Sequence, residues 1–196
     1  YVSNCRFENC KFNNCGIKGY CVKVHGQASF ANCVFNFDSD SAACSGLYIE
    51  TSAPISVNGT SFIRNNNQDK GSASLYLIQK TPGLTPAITH CIFDSCKGAS
   101  ESYSSFYIES QSVQFEYNVI YKSENQGFIG LFNLPSLIPK YDLTLTSCTF
   151  ANNTCSNSIG GGTPIDFSTS ITLTYSECLF ENNSAVYVAG PDDDNS

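Results

Sequence analysis

The sequence predicts an all-β chain wound as a single-stranded parallel β-helix, a solenoid of about seven coils. Three observations carry this. A Cys-x-Phe motif and its variants recur at Cys10, Cys33, Thr60, Cys91, Asn118, Cys148 and Cys178, at intervals of 23, 27, 31, 27, 30 and 30 residues. A short apolar run follows each copy. No stretch of 12 residues shows the 3.6-residue periodicity of a helix. Propeller blades need about 40 residues and four strands, so these repeats are too short for them. Leucine-rich repeats require a Leu spacing that is missing here.

The clearest copy of the unit is Leu143 to Asn153, LTLTSCTFANN. It alternates Leu143, Leu145, Ser147 and Thr149 with Thr144, Thr146, Cys148 and Phe150, and reads as one strand running into a turn at two asparagines. The aromatic position of the motif is filled by Phe12, Phe35, Phe62, Phe93, Phe150 and Phe180, with Ile120 in the fifth copy. Residues at one repeat position stack in a column, so these rings are expected to form a buried ladder, each contributing on the order of 2 kcal/mol. Cys5-Arg6-Phe7 is an eighth, closely spaced copy. The second element reads YCVKV from Tyr20, GLYIE from Gly46, SLYLI from Ser74, SFYIE from Ser105, GFIGL from Gly127, TPIDF from Thr163 and AVYV from Ala185. Each repeat therefore carries at least two strands. The repeat phase runs unbroken, which makes residues 1–190 one elongated β-helix. Residues 191–196 are an acidic tail or the start of a linker.

Eleven cysteines sit among 196 residues. Cys10, Cys33, Cys91, Cys148 and Cys178 occupy one repeat position and are expected to be a ladder of small buried thiols beside the Phe column. Disulfides are the second reading, with Cys21 and Cys44, outside the ladder, as the candidate pair. Zinc at Cys5, Cys10 and Cys15 is the third; the four-to-five-residue spacing is loose and no His is near. No metal or cofactor is expected. Asn65, Asn153 and Asn183 fall three residues after the Phe, with Cys15 and Cys96 in the same slot. An amide there can bond to its copies in neighbouring coils, and Asn tolerates the left-handed backbone of a corner.

A net charge of −7 with only 10 Lys and Arg argues against a nucleic-acid partner. The longest apolar stretch, residues 127–139, is too short and Pro-containing to span a bilayer. The chain opens at Tyr1 without a leader-like segment, as expected of a processed or excised piece. Asn58, Asn152 and Asn182 head Asn-x-Ser/Thr sites, which suggests a glycoprotein on a secretory route, although a chain with 19 Asn supplies such triplets readily by chance.

Phe-x-x-Asn recurs as FIRN from Phe62, FANN from Phe150 and FENN from Phe180, and GGGTPI from Gly160 adds a Gly-rich run before an Ile. This pattern resembles the repeat signature of polymorphic membrane protein passenger domains and related surface proteins of microbial eukaryotes. The resemblance implies a right-handed parallel β-helix displayed outside the cell as an adhesin or surface structure, with no catalytic residues.

The rival class is a polysaccharide-degrading enzyme of the pectin lyase-like class, since architecture alone does not decide function. Such chemistry needs clustered carboxylates, or a base with acid-held calcium. Asp38 and Asp40 form one isolated pair, His25-Gly26 lacks a flanking Gly, and Arg64 stands in a turn among asparagines. Glu50 and Glu109 share a repeat position, but Ile78 lies between them. The expectation is a non-enzymatic structural or adhesive module, part of a larger surface protein or filament. Tyr48, Tyr76, Tyr107 and Tyr187 are placed in an outward column, a candidate contact face for surface glycans or other protein subunits. Uncapped β-helix ends offer a second contact, between copies in a homo-polymer.

Overall fold

The computed structural model describes residues 3–13, 19–37, 44–67, 73–98, 104–125, 140–155 and 170–184, and they form a parallel β-solenoid. Among them every strand pair is parallel and no helix occurs. The chain passes four faces in turn. The first stacks seven strands, from Cys5–Glu8 through Ala28–Ala31, Ile55–Asn58, Ala87–Thr89, Gln114–Glu116 and Lys140–Thr146 to Ser170–Ser176. The second stacks seven three-residue strands, beginning at Lys11–Asn13 and ending at Leu179–Glu181. The third holds four two-residue strands, Asn66–Asn67, Lys97–Gly98, Glu124–Asn125 and Thr154–Cys155. The fourth holds Gly19–Val24, Cys44–Thr51, Leu75–Gln79 and Phe106–Glu109. Among the described residues the coil count is thus seven along two faces and four along the other two.

The Phe column is a single axis of stacked rings. Centroids of Phe12 and Phe35 lie 4.6 Å apart, Phe35 and Phe62 5.2 Å, Phe62 and Phe93 4.9 Å, and Phe150 and Phe180 4.8 Å, all within 8° of parallel. Ile120 fills the fifth level without a ring. Phe35, Phe62, Phe93 and Phe150 are fully buried, while Phe12 and Phe180 in the end coils are half-buried. A second column on the first face, Phe7, Phe30, Val57, Ile88, Phe115, Leu145 and Tyr175, packs against it. The fourth face closes the core with Val22, Leu47, Leu75 and Phe106 in one column, and Val24, Ile49, Leu77 and Ile108 in the next.

The Leu143–Asn153 unit is two strands, not one. Leu145 and Phe150 are both buried although strict alternation would put them on opposite sides. Between them Ser147 takes φ 51°, and this left-handed residue turns the corner and resets the phase. Every coil repeats the device. Asn9, Asn32, Gly59, His90, Tyr117, Ser147 and Glu177 all have positive φ, and each precedes the residue two before the aromatic position. A second left-handed column, Arg64, Ser95, Lys122, Asn152 and Asn182, marks the next corner. The expected left-handed position is therefore the residue before Asn65, Asn153 and Asn183, and the asparagines themselves point inward.

Those inward residues satisfy the corner backbone. Asn153 Nδ2 donates to Ile120 O at 2.9 Å, Asn183 Nδ2 to Phe150 O at 2.7 Å and Asn65 Nδ2 to Phe35 O at 3.2 Å. Asn153 Oδ1 accepts from the Ser123 amide and Asn183 Oδ1 from the Asn153 amide. The ladder is mainly side chain to backbone. One amide-to-amide bond joins its copies, from Asn153 Nδ2 to Asn183 Oδ1.

Candidate functional site

The cysteines of the repeat occupy the other corner: Cys33, Cys91 and Cys148 are essentially inaccessible, with Cys10 and Cys178 half-buried at the ends. Each thiol donates to carbonyls. Cys91 Sγ reaches Thr89 O and Val57 O, and Cys148 Sγ reaches Thr146 O and Phe115 O. At the same level of other coils Thr60 Oγ1 donates to Asn58 O and Asn118 Nδ2 to Ile88 O. Cys, Thr and Asn are therefore equivalent here as short inward donors. Cys96, in the asparagine slot, does the same toward Phe62 O. Burial pushes the Cys91, Cys96 and Cys148 thiols up to about 12, so they stay protonated.

Cys21 and Cys44 do not form the expected disulfide. The register aligns Cys44 with Gly19 and Val22 with Leu47, leaving Cys21 two positions out of step. Two residues of strand offset add about 6.6 Å along the chain, beyond disulfide reach. Cys5 and Cys10 are free, Cys15 lies outside the described residues, and among the described residues no group of three potential ligands could hold a metal.

The tyrosine column is real but differs in character from the expected contact face. Tyr48, Tyr76 and Tyr107 are in register on the outside of the fourth face, with Lys23 in the same column, while Tyr187 lies outside the described residues. The rings stack on one another, Tyr48 on Tyr76 at 5.1 Å and Tyr76 on Tyr107 at 4.2 Å, within 8° of parallel. Ring faces are thus occupied by neighbouring rings, and a sugar meets only edges and hydroxyls. Tyr107 is only 4% exposed. The Tyr48 hydroxyl donates to Glu50 at 2.6 Å and the Tyr107 hydroxyl to Glu109 at 3.2 Å. Lys23 Nζ lies 5.5 Å from the Tyr48 ring centroid.

Glu50, Ile78 and Glu109 share the adjacent outward column, as the repeat predicts. Their carboxyls are perturbed in opposite directions. Lys80 and then the Tyr48 hydroxyl hold Glu50 below the usual carboxylate range, whereas burial raises Glu109. Burial, then Glu50, raises the Tyr48 phenol. No known protein family, curated protein or solved structure matches this chain.

Asn58, Asn152 and Asn182 are all exposed. Asn152 and Asn182 are left-handed corner residues, and Asn58 Oδ1 accepts from Thr89 Oγ1 at 3.1 Å.

One concave site went unread in the sequence. Along the corner between the second and third faces runs a groove of about 340 Å³ lined by Arg64, Asn66, Ser95, Lys97, Lys122, Glu124, Asn152 and Thr154. The left-handed column supplies Arg64, Ser95, Lys122 and Asn152. The third-face register supplies Asn66, Lys97, Glu124 and Thr154. These residues fall two and four positions after the aromatic position of four successive motif copies, so the repeat aligns them in columns; that the two columns border a groove is seen only in the structure.

Proposed function

We propose that the chain is a non-enzymatic structural or adhesive module, displayed outside the cell within a larger surface protein or filament. The observation behind this reading is the continuity of the coil: in-register sheets and inward donor ladders commit the interior to rigidity, while each outer position recurs once per coil at about 4.8 Å. That is a scaffold for presenting rows of side chains to an extended partner. The repeated Phe-x-x-Asn pattern, similar to polymorphic membrane protein passenger domains, and three exposed Asn-x-Ser/Thr asparagines support the extracellular placement. An antibody against the chain should label intact, unpermeabilised cells of the source organism. Labelling that requires permeabilisation would reject the reading.

Polysaccharide cleavage has one observation in its favour, the oppositely shifted Glu50 and Glu109 in one column. Two coils separate them, about 9.6 Å of rise, near the upper limit for an inverting pair. Ile78 fills the coil between, and Glu50 is already held by Lys80 and Tyr48. Release of reducing ends from acidic or neutral polysaccharides, abolished by Glu109→Gln, would establish this activity.

A further inference from the structure

We propose that the corner groove binds an acidic polysaccharide, with Arg64, Lys97 and Lys122 engaging its carboxylates or sulfates. The proposal rests on the adhesive reading and names the chemistry of its ligand. The chain carries a net charge of −7 and only 10 Lys and Arg, yet three of those cations line this one groove. They fall on successive coils, since Lys97 pairs in register with Asn66 on one side and Glu124 on the other. One cation is therefore presented per coil, at a rise of about 4.8 Å. Elsewhere, Arg6 pairs with Glu8, Lys80 with Glu50, and Lys23 lies over the Tyr48 ring. Lys122 Nζ also lies 4.8 Å from the centroid of the adjacent Tyr121 ring.

The shape favours a polymer over a single oxyanion. From Arg64 to Thr154 the groove crosses four coils, about 14 Å along the axis, so one small anion reaches only part of it. The remaining lining is amide and hydroxyl, from Asn66, Ser95, Asn152 and Thr154, which suits sugar hydroxyls. The lining itself contains no aromatic ring, and the one ring beside it, Tyr121 next to Lys122, is not a row of platforms for successive nucleobases; this favours a glycan over a nucleic acid. Glu124 opposes the cations and moderates the affinity.

The column itself supplies variants that preserve the backbone. Asn already occupies the Arg64 and Lys122 column at Asn152, with the same positive φ, and Thr already occupies the Lys97 column at Thr154. The experiment measures binding of the full chain, made in a host that adds no glycan at Asn152, to dextran sulfate, polygalacturonate, neutral dextran and single-stranded DNA. At least one acidic glycan should bind in a salt-dependent manner, and neutral dextran should not. The triple variant Arg64→Asn, Lys97→Thr, Lys122→Asn should weaken binding about tenfold or more and flatten the salt dependence, and Glu124→Gln should tighten it. Unchanged binding by the triple variant, equal binding to neutral dextran, or a preference for single-stranded DNA would overturn the proposal. Surface labelling without glycan binding would remove the groove assignment alone; glycan binding by a chain that is never exposed on cells would remove the adhesive reading.

Discussion

A buried thiol in this chain is a short hydrogen-bond donor before it is anything else. Cys91 lies at the same level of its column as Thr60 and Asn118, and all three direct a donor at a corner carbonyl. Cys91→Thr should therefore change stability by less than about 1 kcal/mol, whereas Cys91→Ala, which removes the donor and leaves a void, should cost about 1–3 kcal/mol; urea titration distinguishes them. The raised thiol pKa values also fix a pH response. The folded state keeps Cys91, Cys96 and Cys148 protonated to about pH 12, while unfolded thiols ionise near 8.5. The unfolded chain thus loses protons first, and stability should be complete below about pH 8.5 and fall as pH rises from there toward 12. Alkylation at pH 8 provides a parallel check: these three thiols should react only after denaturation, and equal labelling of the native chain would contradict their burial.

Among the elements, the Phe strand carries most of the legible information. Its seven copies are readable because a ring at one position in six of the seven, with Ile120 in the other, makes a column that no loop would preserve, and the structure places those rings on one axis. Phe93→Ala in the middle should cost about 3–5 kcal/mol in urea unfolding, and Phe12→Ala at the half-buried end appreciably less. The tyrosine strand was harder to read. Alternation correctly set Tyr48, Tyr76 and Tyr107 outward, but outward did not mean free, because three identical rings 4–5 Å apart pack on each other. Tyr107→Ser should accordingly destabilise the chain more than Tyr48→Ser, since Tyr107 is almost fully buried; equal losses would mean that the column does not share its packing.

On the scale of the molecule, the described coils form one continuous stack in which each strand pairs only with its neighbours above and below. The corners decide what that stack offers to the outside. Left-handed residues at two positions per coil project side chains away from the axis, and this is why Arg64, Lys122, Asn152 and Asn182 are all exposed. Glycan attachment is the matching expectation. If the chain is secreted, intact-mass analysis should find sugar on Asn152 or Asn182, and an unmodified mass in the native protein would argue against passage through a glycosylating compartment.

By itself the sequence determined the winding: identical chemistry returning every 23 to 31 residues can be buried together only if successive turns lie side by side and parallel. Tertiary structure alone decided where each winding bends, which outward rings exhaust one another, and which columns border a groove. The physical reason is that a left-handed corner shifts the inward–outward phase without altering composition, so the repeat shows which residues share a column but not which way that column faces.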